Sequence, residues 1–260
     1  LLNKLSLNGP VWLASDIHLG ADNPATAQRF FQFLDQASAQ AGALLLLGDI
    51  FDVWIGDDWT EQPPQWLSEA LIHLKRVSTR CPLWIGRGNR DFLIGHQLAE
   101  TIGAKLLEPQ VVLDVAGSRY LLAHGDEFCI NDRAYQRFRR IVRNRWVQKA
   151  YLSLSLNTRA KIAQKARQQS MQTQTNANQS NLDVCETTIA RVLAQEQLTA
   201  IIHGHTHRPN HHQPTQVCPF DRWVLPDWES DHLSAEQPER GGWLVVDGAK
   251  VTAFNRPPKK

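Results

Sequence analysis

Five short apolar runs stand out along the chain, each ending in a cluster of polar residues: Val11–Ala14, Ala43–Leu47, Leu83–Ile85, Tyr120–Ala123 and Leu198–Ile202. None alternates apolar with polar positions. Uninterrupted runs of this length are what strands buried on both faces look like, although a short buried helix leaves the same trace. Between the first two runs lies Ala25 to Ala39, where Phe30, Phe31, Phe33 and Leu34 are spaced for a helix packed on a sheet. Between the next two, Pro63 and Pro64 open a similar stretch through Trp66, Leu67, Ala70, Leu71, Leu74 and Val77. Strands alternating with helices predict a layered α/β domain whose functional residues sit on loops at the carboxyl ends of strands.

From about Asn131 to Ser180 the pattern turns helical only. Tyr135, Phe138, Val142, Trp146 and Ala150 recur at helical spacing, followed by Ala160 to Arg167. This predicts a helical insertion over 131–181 in a core built from 1–130 and 182–260, with the apolar stripe packing by default against the rest of the insertion. Gln172 to Asn181, almost wholly Gln, Asn, Thr and Ser, reads as a polar loop or a frayed helix end. Beyond Arg208, a stretch containing Pro, Trp and His leads to a final strand pair, Trp243–Val246 and Val251–Phe254. No role attaches to Glu229–Arg240 at this level.

With 260 residues, 42% apolar and 21% charged, the chain suits one well-packed domain with an insertion rather than a disordered polymer. The net charge of +2 conceals an uneven distribution: Arg133 to Arg167 holds eleven Arg or Lys and no Asp or Glu, a local basic field. Cys81, Cys129, Cys185 and Cys218 stand far apart, suggesting neither a thiolate zinc site nor a disulfide framework, and a reducing compartment fits best. No segment approaches the ~20 apolar residues of a membrane span, and Leu1–Pro10 lacks a signal peptide's layout. A cytosolic protein is expected, touching a membrane at its surface at most.

The clusters that end the runs carry the chemistry: Asp16-x-His18, Gly48-Asp49, Gly88-Asn89, His124-Gly125-Asp126 and Gly204-His205-Thr206-His207. Any one alone is more often a loop hydrogen-bonder or helix cap than a ligand. Together, carboxylate, imidazole and amide oxygen suit a pair of hard-to-intermediate divalent ions. The glycines let the backbone turn sharply and let substrate oxygens come close. A carboxylate shared by two ions ~3.5–4 Å apart is the arrangement that activates water and clamps a phosphoryl group for in-line displacement.

As an ordered set, these blocks resemble the signature of the calcineurin-like metallophosphoesterases: D-x-H, G-D, G-N-H-D/E, a single His and G-H-x-H. The resemblance implies a four-layer α-β-β-α sandwich holding two divalent metal ions, with Mn²⁺ expected. By position it implies that Asp16, His18, Asp49 and His207 hold one ion and that Asp49, Asn89, His124 and His205 hold the other, Asp49 bridging. The departure is Arg90, where most of the superfamily has the histidine that protonates the leaving group. Arginine cannot donate a proton at neutral pH but can grip phosphate oxygens through two N–H groups. That substitution suits a leaving group that departs without protonation, as the phosphate half of a diphosphate does.

Within the superfamily the chain is similar to the UDP-2,3-diacylglucosamine diphosphatases of lipid A biosynthesis. The match rests on Gly88-Asn89-Arg90-Asp91-Phe92-Leu93, Trp54-Ile55-Gly56-Asp57-Asp58, His124-Gly125-Asp126 with Cys129, Asp132 and Tyr135, Gly204 to Pro209, and Arg222 to Trp228. It implies that the insertion is a helical cap forming a groove for two acyl chains, and that Asn89, Arg90, Asp132, Tyr135, Arg167, Ser170 and His205 contact the sugar and phosphate. Asn89, Arg90 and His205 would carry catalysis. The implied reaction is attack of metal-activated water on the α-phosphorus, giving UMP and 2,3-diacylglucosamine 1-phosphate. It further implies a cytoplasmic monomer, peripheral to the inner face of the membrane, with a UDP-linked diacyl sugar and no nucleic acid as partner. Two alternatives remain at this level: a phosphodiesterase of the same fold acting on another nucleotide or phospho-substrate, and a basic-surface binding module. His203 is expected as a strand-end hydrogen-bonder, His211 and His212 on a loop, and His73 and His96 on helices. Asp22, Asp52, Asp57 and Asp58 are candidates for supporting or loop-stabilising roles.

Overall fold

The computed structural model describes residues 1–176, 183–216, 218–234 and 238–254, with the side chains of 168–176 left aside. In chain order the elements are β1 (Asn3–Leu7), β2 (Val11–Ala14), α1 (Pro24–Gln40), β3 (Ala43–Leu46), α2 (Gln65–Ser78), β4 (Leu83–Ile85), α3 (His96–Ile102), β5 (Lys105–Leu106) and β6 (Gln110–Val115). They continue with β7 (Ser118–Ala123), α4 (Arg133–Val142), α5 (Arg145–Leu152), α6 (Leu156–Asn176), α7 (Glu186–Glu196), β8 (Ala200–His203), β9 (Asn210–His212), β10 (Asp221–Val224), β11 (Trp243–Asp247) and β12 (Lys250–Phe254).

The strands form two six-stranded sheets, ordered β12-β11-β2-β3-β4-β5 and β1-β6-β7-β8-β10-β9. Successive side chains of a strand point to opposite faces, and here each face of the central strands meets a different core. In β2, Trp12 and Ala14 join Leu44, Leu46, Leu83 and Ile85 beneath Phe30, Phe33, Leu34, Leu67, Leu71 and Leu98 of α1, α2 and α3. The intervening Val11 and Leu13 face inward, where Leu45 and Trp84 meet Leu113, Leu122 and Ile202 of the other sheet. On the far side of that second sheet, Val112, Leu121 and Ile201 pack on Ile189 and Leu193 of α7. Helices, sheet, sheet and helix thus make the four layers of an α-β-β-α sandwich. Burial of both faces explains why the central strands show no polar alternation.

Four of the five apolar runs coincide with β2, β3, β4 and β7, while the last is displaced, since β8 begins at Ala200 and ends at His203. His73 and His96 lie on helices as expected, but His211 and His212 lie on β9 rather than on a loop. There His211 stacks on Trp223 with centroids 3.6 Å apart and pairs with Asp221 at 2.6 Å. That cross-strand pairing is invisible in a short polar stretch.

Between β7 and α7 the chain forms α4, α5 and α6. Their apolar stripe does not pack as expected. The side chain of Asn144 accepts the N–H groups of Trp146 and Val147, capping α5 and breaking the helical phase. Neither α4 nor α5 contains a buried residue, and Phe138 and Trp146 are 45% and 77% exposed. Polar contacts anchor this region instead, among them Arg159 of α6, only 2% exposed, which donates to the carbonyl of Ile55 at 2.6 Å and to Asp58 Oδ1 at 2.8 Å. α6 runs helically to Asn176; the rest of the polar tract, up to Asn181, lies outside the described residues.

Candidate metal centre

The loops after β2, β3, β4, β7 and β8 converge where the carboxyl ends of the two sheets meet, and the predicted ligands ride on them. β2 is parallel to β3, and β3 to β4, and β7 is parallel to β8, so their ends project the same way. Cross-links between the loops fix the geometry. Asp16 N–H donates to the Gly48 carbonyl at 3.1 Å, Gly204 N–H to the His124 carbonyl at 2.9 Å, and Trp228 N–H to the Asp16 carbonyl at 3.0 Å.

All seven predicted ligands come together. Asp16, His18 and His207 place one ligand atom each within 4.8 Å of one another, as do Asp16, Asp49 and His124. His18 Nε2 lies 3.3 Å from His207 Nε2, and His207 Nε2 lies 3.5 Å from Asp16 Oδ1. On the other side, Asn89 Oδ1 stands 3.1 Å from His124 Nε2 and 2.7 Å from His205 Nδ1. Asp49 lies between the two halves, with Oδ2 4.0 Å from His18 Nδ1 and Oδ1 3.8 Å from His124 Nε2.

The backbone reflects this convergence. Among the described residues, seven non-glycine residues have positive φ, and five of them are Asp16, His18, Asp49, His205 and His207. Such conformations are unfavourable for residues with a Cβ and persist only where the surroundings over-determine them. Of the neighbouring glycines, Gly48 and Gly125 turn the chain at positive φ, as expected, while Gly88 and Gly204 make room. A Cβ on Gly88 would collide with the carboxylate of Asp49, and one on Gly204 with the carboxylate of Asp16. They admit the protein's own carboxylates at close range.

The donor set fits a divalent cation. Asp16 and Asp49 are 0% and 1% exposed, and Asp16 Oδ1 has no hydrogen-bond partner among the described residues. Two buried carboxylates facing imidazole nitrogens need a compensating positive charge. Burial alone would raise Asp16, but the imidazoles of His207 and His124 beside it hold it well below the ordinary carboxylate range. Burial pushes Asp49 up to about 7, opposed by His124 and assisted by Asp91. His124, although burial opposes its charge, is raised to about 9 by Asp49, Asp16 and Asp126. The centre thus draws in positive charge, as a proton or as a metal ion. His205 is lowered to about 3 by burial and by the charge on His124, and His18 is lowered by burial and by Arg90. Both rings are therefore neutral near pH 7, the form that coordinates metals.

Arg90 leans over this centre. Its backbone N–H donates to Asp49 Oδ1 at 2.8 Å, its Nε lies 3.6 Å from Asp49 Oδ2, and its Nη1 donates to Asp52 at 2.9 Å. Arg167 of α6 pairs with the same Asp52 carboxylate. Tyr135 lies with its ring centroid 6.0 Å from that of His205 and donates its hydroxyl to Asp126 at 2.5 Å. Asp132 caps α4 by accepting the N–H of Tyr135 at 2.9 Å. The backbone of Ser170 lies within α6, and its side chain falls outside the described atoms. His203 is buried, with Nδ1 2.9 Å from the Gly204 carbonyl oxygen, in keeping with a hydrogen-bonding role.

Three buried carboxylates at the site were not singled out by sequence reasoning. Asp91 accepts backbone N–H groups from Gly88, Asp49 and Ile50. Asp126 gathers Tyr135, Arg139 and Arg143, and Arg143 also donates to the Gly88 carbonyl at 3.0 Å. Asp227 faces His207 Nδ1 at 3.6 Å. The first two were visible only as motif letters following a ligand, the third only as part of Leu225-Pro226-Asp227-Trp228.

Comparison with known proteins agrees with this geometry. The family described as calcineurin-like phosphoesterase matches residues 9–209. The chain is 45% identical over 255 residues, 98% of both chains, to a protein named UDP-2,3-diacylglucosamine hydrolase in Bordetella parapertussis. It is 41% identical to a protein of the same name in Tolumonas auensis, covering 94% of this chain and 95% of that one. A third, in Ralstonia nicotianae, is 38% identical, with 97% and 95% covered.

Proposed function

The chain belongs to the calcineurin-like phosphoesterase family, and from that premise we infer that it is a metal-dependent hydrolase cleaving the diphosphate of UDP-2,3-diacylglucosamine to UMP and 2,3-diacylglucosamine 1-phosphate. The relatives that match along almost its whole length bear that activity in their name. The observation that carries the reading is Arg90: a guanidinium that already grips two carboxylates, Asp49 and Asp52, directly beside the ligand cluster.

The protein uses divalent metal. We assign two ions, with Mn²⁺ as the expected species: Asp16, His18, Asp49 and His207 for one, and Asp49, Asn89, His124 and His205 for the other. When bound, such a pair lowers the pKa of water and neutralises phosphoryl oxygens. The remaining work falls to the chain's own groups. Arg90 exchanges Asp52 for the substrate's phosphate oxygens and holds positive charge where negative charge develops. Asn89 and His205, 2.7 Å apart, position the reacting phosphate together with the metal. The departing group is itself a phosphate, so no proton donor is needed at position 90.

The insertion 131–181 acts as the cap over this centre, with 1–130 and 182–260 as the core. Arg167, Ser170, Asp132 and Tyr135 face the sugar phosphate from it, Arg167 releasing Asp52 as the substrate enters. The exposed apolar residues of the cap, Phe138, Ile141, Trp146 and Val147, lie among its arginines and suit acyl chains and the anionic inner face of a bilayer. No helix is long and apolar enough to cross a membrane among the described residues; we propose a cytoplasmic monomer attached peripherally through this face of the cap.

The test is release of UMP from UDP-2,3-diacylglucosamine by purified protein, stripped with chelator and resupplied with Mn²⁺. The reading requires activity that chelation abolishes and Mn²⁺ restores. Turnover of a simple diester such as bis(p-nitrophenyl) phosphate, with no UMP released from the lipid, would establish a phosphodiesterase instead.

A further inference from the structure

Within the stretch 229–240, which has no role at the level of sequence, the described residues 229–234 and 238–240 lie against the start of α1. Asp231 accepts the N–H groups of Ala25 and Thr26 at 2.8 Å each, satisfying donors that a helix start leaves open. Arg29 donates to Ser230 at 2.7 Å and pairs with Glu239 at 2.9 Å. Glu229 and Arg240 pair through reciprocal backbone bonds of 3.1 and 2.9 Å.

That pairing presents one side chain toward the centre. Arg240 Nε donates to Asp227 Oδ2 at 2.9 Å, and the same oxygen lies 3.6 Å from His207 Nδ1. Asp227 is 3% exposed, and its other oxygen has no hydrogen-bond partner among the described residues. The opposite edge of the His207 ring, at Nε2, meets His18 and Asp16. One edge therefore faces the ligand cluster and the other faces a carboxylate held from behind. A carboxylate facing that edge favours the tautomer with its proton on Nδ1 and makes the Nε2 lone pair more basic toward a metal.

We propose that Asp227 is a positioning residue for His207, and that Arg240, placed by its backbone pairing with Glu229, holds Asp227 in place. The proposal rests on the metal-centre reading above. Arg240 is the sharper probe, because it touches none of the predicted ligands and its side chain is 34% exposed.

The experiment uses the full chain stripped with chelator. Mn²⁺ is titrated by calorimetry into wild type, Asp227→Ala, Asp227→Asn, Arg240→Ala and Arg240→Lys, with thermal unfolding of each metal-free protein alongside. Asp227→Ala should weaken binding by ~10–100-fold, Asp227→Asn by less because its amide oxygen still accepts, and Arg240→Ala in the same direction with Arg240→Lys recovering part of the loss. Two-bond ¹H–¹⁵N spectra of metal-free wild type should place the His207 proton on Nδ1, and those of Asp227→Ala should distribute it over both nitrogens. Unchanged Mn²⁺ affinity in Asp227→Ala and Arg240→Ala, with only the metal-free unfolding temperature lowered, overturns the proposal and leaves the metal centre standing. If Asp227→Ala does not fold, unchanged affinity in Arg240→Ala decides against it. Failure of wild type to bind Mn²⁺ removes the metal-centre reading and the proposal with it.

Discussion

The carboxylate of Asp91 accepts the backbone N–H of Asp49 at 3.1 Å, tying the loop after β4 to the loop after β3 at the residue proposed to bridge the two ions. The same side chain accepts Ile50 N–H and Gly88 N–H, each at 2.7 Å, and is 0% exposed. Asp91→Ala would leave these buried donors unpaired at ~1–3 kcal/mol each. The substitution should lower stability by ~3 kcal/mol or more in urea unfolding of the metal-free protein, with Mn²⁺ binding lost as well. A variant of wild-type stability would contradict this account of the loop.

Arg90 is the second case. Lysine preserves the charge but loses the planar fork, and histidine restores the superfamily's usual residue without the grip. Both Arg90→Lys and Arg90→His should lower kcat/KM for UMP release by ~10²–10³-fold, the usual loss when a charge-stabilising donor is removed from an active site. An unchanged rate in Arg90→His would reduce Arg90 to a packing residue.

The dock between α6 and the core should leave a trace in pH dependence. The hydrogen bonds from Arg159 hold Asp58 below the usual carboxylate range. A carboxylate with a depressed folded pKa contributes stability that is present above its unfolded pKa of ~3.9 and is lost as pH falls through the lower folded value. Asp58 is 43% exposed, so screening limits the contribution to less than ~1 kcal/mol. Urea unfolding should show wild type losing part of its advantage over Asp58→Asn below pH ~3.9. A constant difference across that window would remove the assignment.

The exposed apolar and basic face of α4 and α5 predicts attachment to lipid. Wild type should sediment with vesicles containing phosphatidylglycerol and release from them as salt rises, since each basic side chain near such a surface contributes ~1 kcal/mol. Trp146→Glu, at a position 77% exposed, should weaken attachment without altering the unfolding midpoint. Equal partitioning of wild type and variant would assign that face to something other than lipid.

Much of the fold was legible along the chain because burial of both strand faces writes itself as an uninterrupted apolar run, as at Val11–Ala14 and Ala43–Leu46. The same signal fails at edges and ends. β1 and β9 expose polar residues, and α4 and α5 bury none of theirs, so periodicity gave no warning that the insertion is held by polar contacts such as those of Arg159 and Asp126 rather than by its apolar stripe.

The sequence by itself determined which residue types end the strands, and therefore the chemistry at the centre: Asp16, His18, Asp49, Asn89, His124, His205 and His207 in loops after apolar runs, with Arg90 in place of a proton donor. Tertiary structure decided what supports them. Asp91 is held by backbone N–H groups 41 and 42 residues away, Asp52 joins Arg90 to Arg167, and Asp227 stands between His207 and Arg240. The physical reason is the reach of the interactions. Burial and backbone periodicity act locally and leave a local pattern. A buried carboxylate instead must find its donors wherever the fold brings them, and no spacing along the chain records which ones it finds.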